Sequence, residues 1–96
     1  MANQELVGKI AADKHSRKLG KIIKIEQIPD KKTKINKTHV LILVKNFLRK
    51  DVVILIEIEK LQKTDDFYAW FDILKEDFDQ EVRETRALIR LYGGHE

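Results

Sequence analysis

The chain of 96 residues contains no cysteine, one proline, one serine and one tryptophan. The absence of cysteine excludes a disulfide framework, a thiolate zinc site and a catalytic thiol, and it suits a reducing compartment, so a cytoplasmic location is expected. Four glycines and one proline leave few flexible joints, and no internal repeat, low-complexity tract or interdomain linker breaks the sequence. Long apolar runs are missing too. The longest span five residues, Val40 to Val44 and Val52 to Ile56, and Met1-Ala2-Asn3-Gln4-Glu5 lacks the basic and apolar regions of a signal peptide, so no integral membrane segment is expected.

Catalytic signatures are equally scarce. Ser16 sits beside His15 in a charged turn with no glycine elbow, and adjacent residues seldom point at one another, which argues against a Ser-His nucleophile. Glu57 and Glu59 fall on one face of an expected strand and Asp65-Asp66 in a turn. Either pair suits a hard cation or acid-base work, but a divalent site gathers more oxygen ligands, and such carboxylates are ordinary solvated surface. His15, His39 and His95 lack ligand spacing, and His39, at the start of a strand, reads as structural. No Gly-rich loop precedes a helix. The expectation is therefore no enzyme, no catalytic residue, no metal and no cofactor.

What is abundant is charge, at 36% of residues, alongside a hydrophobic fraction of 43% that suffices for one folded core. The net charge of +3 hides an asymmetry: residues 1–50 hold 13 Lys or Arg against 4 Asp or Glu, and residues 51–96 hold 6 against 12, so the halves carry +9 and −6. Either a basic face meets an acidic partner, anionic lipid or nucleic acid, or the halves neutralise each other on folding.

Period-two alternation predicts strands over Leu6–Ala11, Leu19–Ile28, Thr38–Phe47, Val52–Ile58 and Phe67–Ile73, with turns at 13–18, 29–32 and 48–51. Leu19, Ile23 and Ile25 would share one face. In the two central strands both alternating sets are apolar: Val40, Ile42 and Val44 against Leu41 and Leu43, then Val52, Ile54, Ile56 and Ile58 against Val53 and Leu55. Such strands expect cover on both faces. In the last strand Phe67, Ala69, Phe71 and Ile73 oppose Tyr68, Trp70 and Asp72. From Lys75 the period becomes 3.6, and Leu74, Phe78, Val82, Thr85, Ile89 and Tyr92 form a helical stripe with Leu88 beside it. Asp77 and Gln80 stand in capping-box relation, acidic residues crowd the first turns, Arg83, Arg86 and Arg90 the last, and Gly93-Gly94 ends the helix. The expected architecture is mainly β: a small closed or partly closed antiparallel β-barrel of five to six short strands over residues 1–74, plus one C-terminal α-helix and tail over 75–96 that packs on the barrel or in a dimer interface.

Leu6-Val7-Gly8-Lys9-Ile10, Asp13, Lys18-Leu19-Gly20-Lys21-Ile22 and Ile28-Pro29-Asp30 together resemble the opening of PRC-barrel domains, and Ile58-Glu59-Lys60-Leu61 resembles the segment leading into their last strand. The likeness covers residues 5–73. One departure stands in the first turn, where Ser16 and Arg17 replace the family's usual Gly. The family includes the cytoplasmic part of the photosynthetic reaction-centre H subunit, a domain of bacterial ribosome maturation factors, and archaeal cell-division proteins; a barrel followed by a helix is most similar to the archaeal group. The resemblance implies adaptor work, docking on another protein without catalysis.

Two functional classes follow. Protein binding uses outward apolar residues and the helix arginines, with Leu41, Leu43, Val53, Leu55, Tyr68, Trp70, Arg83, Arg86 and Arg90 as interface candidates, a homodimer and a partner protein with an acidic surface as expected outcomes. The alternative is that the helix packs over Trp70 and the outward leucines. Nucleic-acid or ribosome binding instead uses Lys14, Arg17, Lys18, Lys21, Lys31, Lys32, Lys34 and Lys37 as one basic end of the barrel. Against it, single-strand binders interleave charge with stacking rings, and Phe47 is the only aromatic residue in the basic half.

Overall fold

A computed structural model describes residues 2–46 and 49–92. A 3-10 turn at Ala2–Leu6 precedes strands β1 (Ile10–Ala12), β2 (Lys18–Pro29), β3 (Asn36–Asn46) and β4 (Arg49–Glu57). A second 3-10 turn at Ile58–Lys60 leads to β5 (Leu61–Thr64), β6 (Tyr68–Phe71) and helix α1 (Lys75–Tyr92). Phe47, Leu48, the Gly93-Gly94 stop and His95 lie outside the described residues.

The six strands form one sheet in the order β4-β3-β2-β1-β6-β5. The sheet does not close, since β4 and β5 are its two ends, and one expectation needs correction: it is not wholly antiparallel, since β1 and β6 pair in parallel. The chain returns through the β5–β6 hairpin and enters beside β1 from the far side, so β6 runs with β1. The expected strand at Leu6–Ala11 shrinks to Ile10–Ala12 because Gly8 adopts φ +95°, which ends the extended run, while Leu6 is buried from the preceding turn.

The period-two pattern in β3 and β4 is realised as one buried and one outward face. Val40 and Ile42 join Val52, Ile54 and Ile56, then Leu19 and Ile22 of β2, Ala69 and Phe71 of β6, and Phe78 and Val82 of α1 in a single core. In β2 the alternation slips: Ile22 pairs with Ile42 and Lys24 with Leu41, leaving Ile23 as the extra residue of a β-bulge. Ile23 is therefore turned out of the core face it was expected to share with Leu19 and Ile25. Phe67 is likewise corrected. It lies in the β5–β6 turn, largely exposed, and not on the inner side of a strand.

Helix α1 sits against the core side of the open sheet and flanks the unpaired edge of β4. Grooves run between them, one lined by Leu55, Ile56, Phe78 and Glu81, another by Lys50, Val52, Arg86 and Ile89. The Arg86 guanidinium donates to the Lys50 carbonyl at 2.7 Å, which blunts an edge that would otherwise invite strand pairing. Only the middle of the stripe is fully used. Phe78 and Val82 are buried and Ile89 half-buried, whereas Leu74, just before the helix, and Tyr92, at its end, are exposed; Leu88 and Leu91 are exposed because they point away from the buried line of the helix.

Gly20 sits where β2 lies close against β3. A methyl group there would collide with the Leu43 carbonyl oxygen and come within 2.8 Å of Ile42 Cγ2. Gly20→Ala is accordingly expected to cost about 1–3 kcal/mol, read as a lower denaturant midpoint at unchanged slope.

Candidate interaction surface

Among the described residues, no element covers the apolar patch on the outer face of the sheet. Leu41 lies directly opposite Leu55, and Leu43 opposite Val53. Val53 is 40% exposed, Leu55 43% and the bulged Ile23 39%, while Leu41 and Leu43 are half-buried between them. Helix α1 packs on the other side of the sheet, so the alternative in which it shields these residues is overturned. Lys21 stands opposite Leu43 and Lys24 opposite Leu41 on β2; on β4 the patch ends at Asp51 and Glu57. An open groove of about 510 Å³ beside the patch has Ile10, Ile23 and Leu43 along its floor and Lys18, Lys21 and Lys45 on its rim.

The basic residues do not form one end. The turn holding Lys14 and Arg17 and the turn holding Lys31, Lys32 and Lys34 lie at opposite ends of the 12-residue β2. Several are also engaged. Lys14 pairs with Asp72 at 3.3 Å, and Lys37 with Asp30 at 3.6 Å and Glu57 at 3.8 Å. The Asp30 carboxyl is held below its ordinary range chiefly by the backbone N–H of Lys32. Of the helix arginines, Arg83 bonds Gln80 within its own helix, Arg86 reaches Lys50, and Arg90 borders the groove beside Val52.

A buried carboxylate, which the sequence offered only as one position of the family-like motif, organises the first turn. Asp13 is fully buried and accepts hydrogen bonds from the backbone N–H groups of His15, Arg17 and Lys75, each at 2.9 Å, and from Arg17 Nε at 2.9 Å. It thereby caps α1 from a distant turn, which replaces the expected Asp77–Gln80 capping box: the helix already begins at Lys75, so Asp77 lies inside its first turn. Burial alone would raise the Asp13 carboxyl, but the bonds from Arg17, Lys75 and His15 more than offset it and hold the group well below the usual carboxylate range. Arg17 continues to Glu76 through two bonds of 2.8 Å, which holds Glu76 at about 2. Ser16 takes φ +66°, the left-handed conformation a glycine adopts freely, and its Oγ accepts the Trp70 indole N–H at 3.0 Å.

That last bond brings together residues the sequence kept apart. Tyr68 and Trp70 stack at a ring-centroid distance of 5.7 Å, and Lys63 Nζ lies 4.7 Å from the centre of the Trp70 ring. The weighed carboxylate pairs separate or serve the backbone: Glu57 ends β4 while Glu59 lies in the following 3-10 turn, and Asp65 accepts from the N–H groups of Phe67 and Tyr68. His39 Nδ1 lies 3.1 Å from the Lys37 carbonyl. Among the described residues no group of three metal-ligating side chains gathers, and no helix is long and apolar enough to cross a membrane. Comparisons with protein-family models, curated proteins and solved structures return no match.

Proposed function

We propose that the chain is a non-catalytic protein-interaction adaptor of the PRC-barrel type, a partly closed barrel whose open side is filled by α1, and that it works as a homodimer. The observation that carries this reading is the contiguous apolar patch of Leu41, Leu43, Val53, Leu55 and Ile23 on the outer face of the sheet. A second copy is the occupant this patch suits. With a two-fold axis along β3 the leucines of both copies face each other, and Lys24 of one copy faces Leu55 of the other, one outward position along β4 from Glu57. The exposed turn of Lys31, Lys32 and Lys34, far from this patch, is the surface offered to an acidic partner protein in a larger assembly, such as the archaeal-type cell-division complexes that the family resemblance brings to mind.

Light scattering or sedimentation at ~100 μM, above the affinity of modest interfaces, should give twice the mass of the 11.3 kDa chain. Val53→Lys, which sets a charge in the middle of the patch at an already exposed site, should yield a folded monomer. A native chain of monomeric mass at that concentration, or a Val53→Lys variant that stays dimeric, overturns the proposal.

A further inference from the structure

The stacked rings on β6 are a feature that dimerisation leaves unexplained. Tyr68 and Trp70 project from the outer face, since the intervening Ala69 and the following Phe71 are buried in the core. Trp70 reaches across Ala12, its register partner on β1, to the Ser16 hydroxyl. Ala12 shares this outer face yet is fully buried, as expected if the indole lies over it. The exposed Lys63 lies over the indole, so that ring face is turned to solvent. The register also brings basic residues alongside: Lys63 pairs with Trp70 from β5, and Lys18 and Lys21 of β2 stand opposite Ala12 and Ile10, the β1 partners of Trp70 and Tyr68. Of the acids nearby, Asp72 pairs with Lys14 and Asp65 accepts from the turn N–H groups, while Asp66 stands exposed in the same turn.

We infer that Tyr68 and Trp70, flanked by Lys18, Lys21 and Lys63, form a platform for single-stranded nucleic acid. Adjacent π faces accept unpaired bases whatever their sequence, and lysines on both sides of the rings meet the phosphates that run past them. Lys63 occupies the ring face in the absence of a ligand and turns to a phosphate when a base takes its place. The expected objection, that the rings belong to the acidic half of the chain, fails in three dimensions: β6 lies next to β1, which pairs with the lysine-bearing start of β2.

The chain's single tryptophan makes the test direct. A ten-residue oligothymidylate titrated into the full chain at ~50 mM salt should quench Trp70 emission saturably, with a Kd of about 1–100 μM. Affinity should fall about four-fold for each doubling of salt, as for roughly three phosphate contacts on a single strand. Lys63→Glu and Tyr68→Ser, both at outward positions, should each weaken binding about ten-fold or more while the far-ultraviolet dichroism is unchanged. Three results would overturn the inference: no quenching up to ~1 mM nucleotide, equal quenching by polyglutamate, which carries charge without bases and would mark an acidic protein as the occupant, or equal binding of the oligomer's duplex with oligoadenylate.

Discussion

A chain that ends at Leu74 should aggregate or melt far below the full-length protein. Its sheet would keep Val52, Ile54 and Ile56 on the inner face but lose the two helix side chains buried against them, Phe78 and Val82. At about 1.5–3 kcal/mol each their removal costs roughly 3–6 kcal/mol, most of the 5–10 kcal/mol a domain of this size commands, although a compact unfolded state lowers the true figure. The loss also bares the β4 edge that Arg86 now covers, so the damaged chain has a route to intermolecular strand pairing. Point variants separate packing from mere helix presence. Phe78→Ala should cost about 3–5 kcal/mol, whereas Leu91→Ser and Tyr92→Ser, at side chains 69% and 78% exposed, should stay within about 0.5 kcal/mol. Thermal melts followed by dichroism and turbidity decide it. A soluble 1–74 fragment with an unchanged melting temperature would show that α1 is no part of the core.

That division of the helix illustrates which parts of the fold were legible beforehand. The 3.6 period located α1 at Lys75–Tyr92, and alternation located β3 and β4 and their inward set, because each pattern depends only on neighbours in sequence. Whether Tyr92 is covered depends on where the sheet ends beneath the helix, which no periodicity encodes. The bulge at Ile23 was hidden for a related reason: one extra residue inverts the alternation, and a run of Ile22, Ile23 and Ile25 reads equally well in either phase. Strand β5 has no pattern of its own to read, because Leu61-Gln62-Lys63-Thr64 offers one apolar residue and is held in place by pairing with β6. For the candidate surface, the outward residues Leu41, Leu43, Val53 and Leu55 were readable from the doubled apolar pattern. The ring-and-lysine cluster was not, since it is assembled from β2, β5 and β6 by sheet order alone. The basic end failed for the opposite reason: residues near in composition are separated by the length of β2.

Asp13 is the residue whose loss should matter most for its size. Its carboxylate satisfies three backbone N–H groups and the Arg17 guanidinium inside the protein, so Asp13→Ala leaves buried donors without partners, uncaps α1 and frees Arg17, an expected cost of about 3–5 kcal/mol. Asp13→Asn preserves shape but turns an amide N–H toward donors and loses the charge, and should recover only part of that. The pH dependence has a definite sign. A carboxyl whose folded pKa lies below its unfolded value near 3.9 binds its proton more readily in the unfolded chain, so its stabilisation is complete above about pH 5 and drains away as pH falls through 4 towards the folded value. Glu76, held at about 2 first by its bonds from Arg17, acts in the same direction but is exposed and solvent-screened, so Glu76→Gln should change the acid limb little. Denaturant midpoints measured from pH 7 down to pH 2 should therefore fall steeply for the native chain and for Glu76→Gln, and much less for Asp13→Asn, which starts lower. Trp70 emission adds a local reading, because the turn that Asp13 holds presents Ser16 to the indole: in Asp13→Asn it should shift before the global transition as that bond loosens. A native acid limb no steeper than that of Asp13→Asn would mean that the buried carboxylate is not what ties the first turn to the helix.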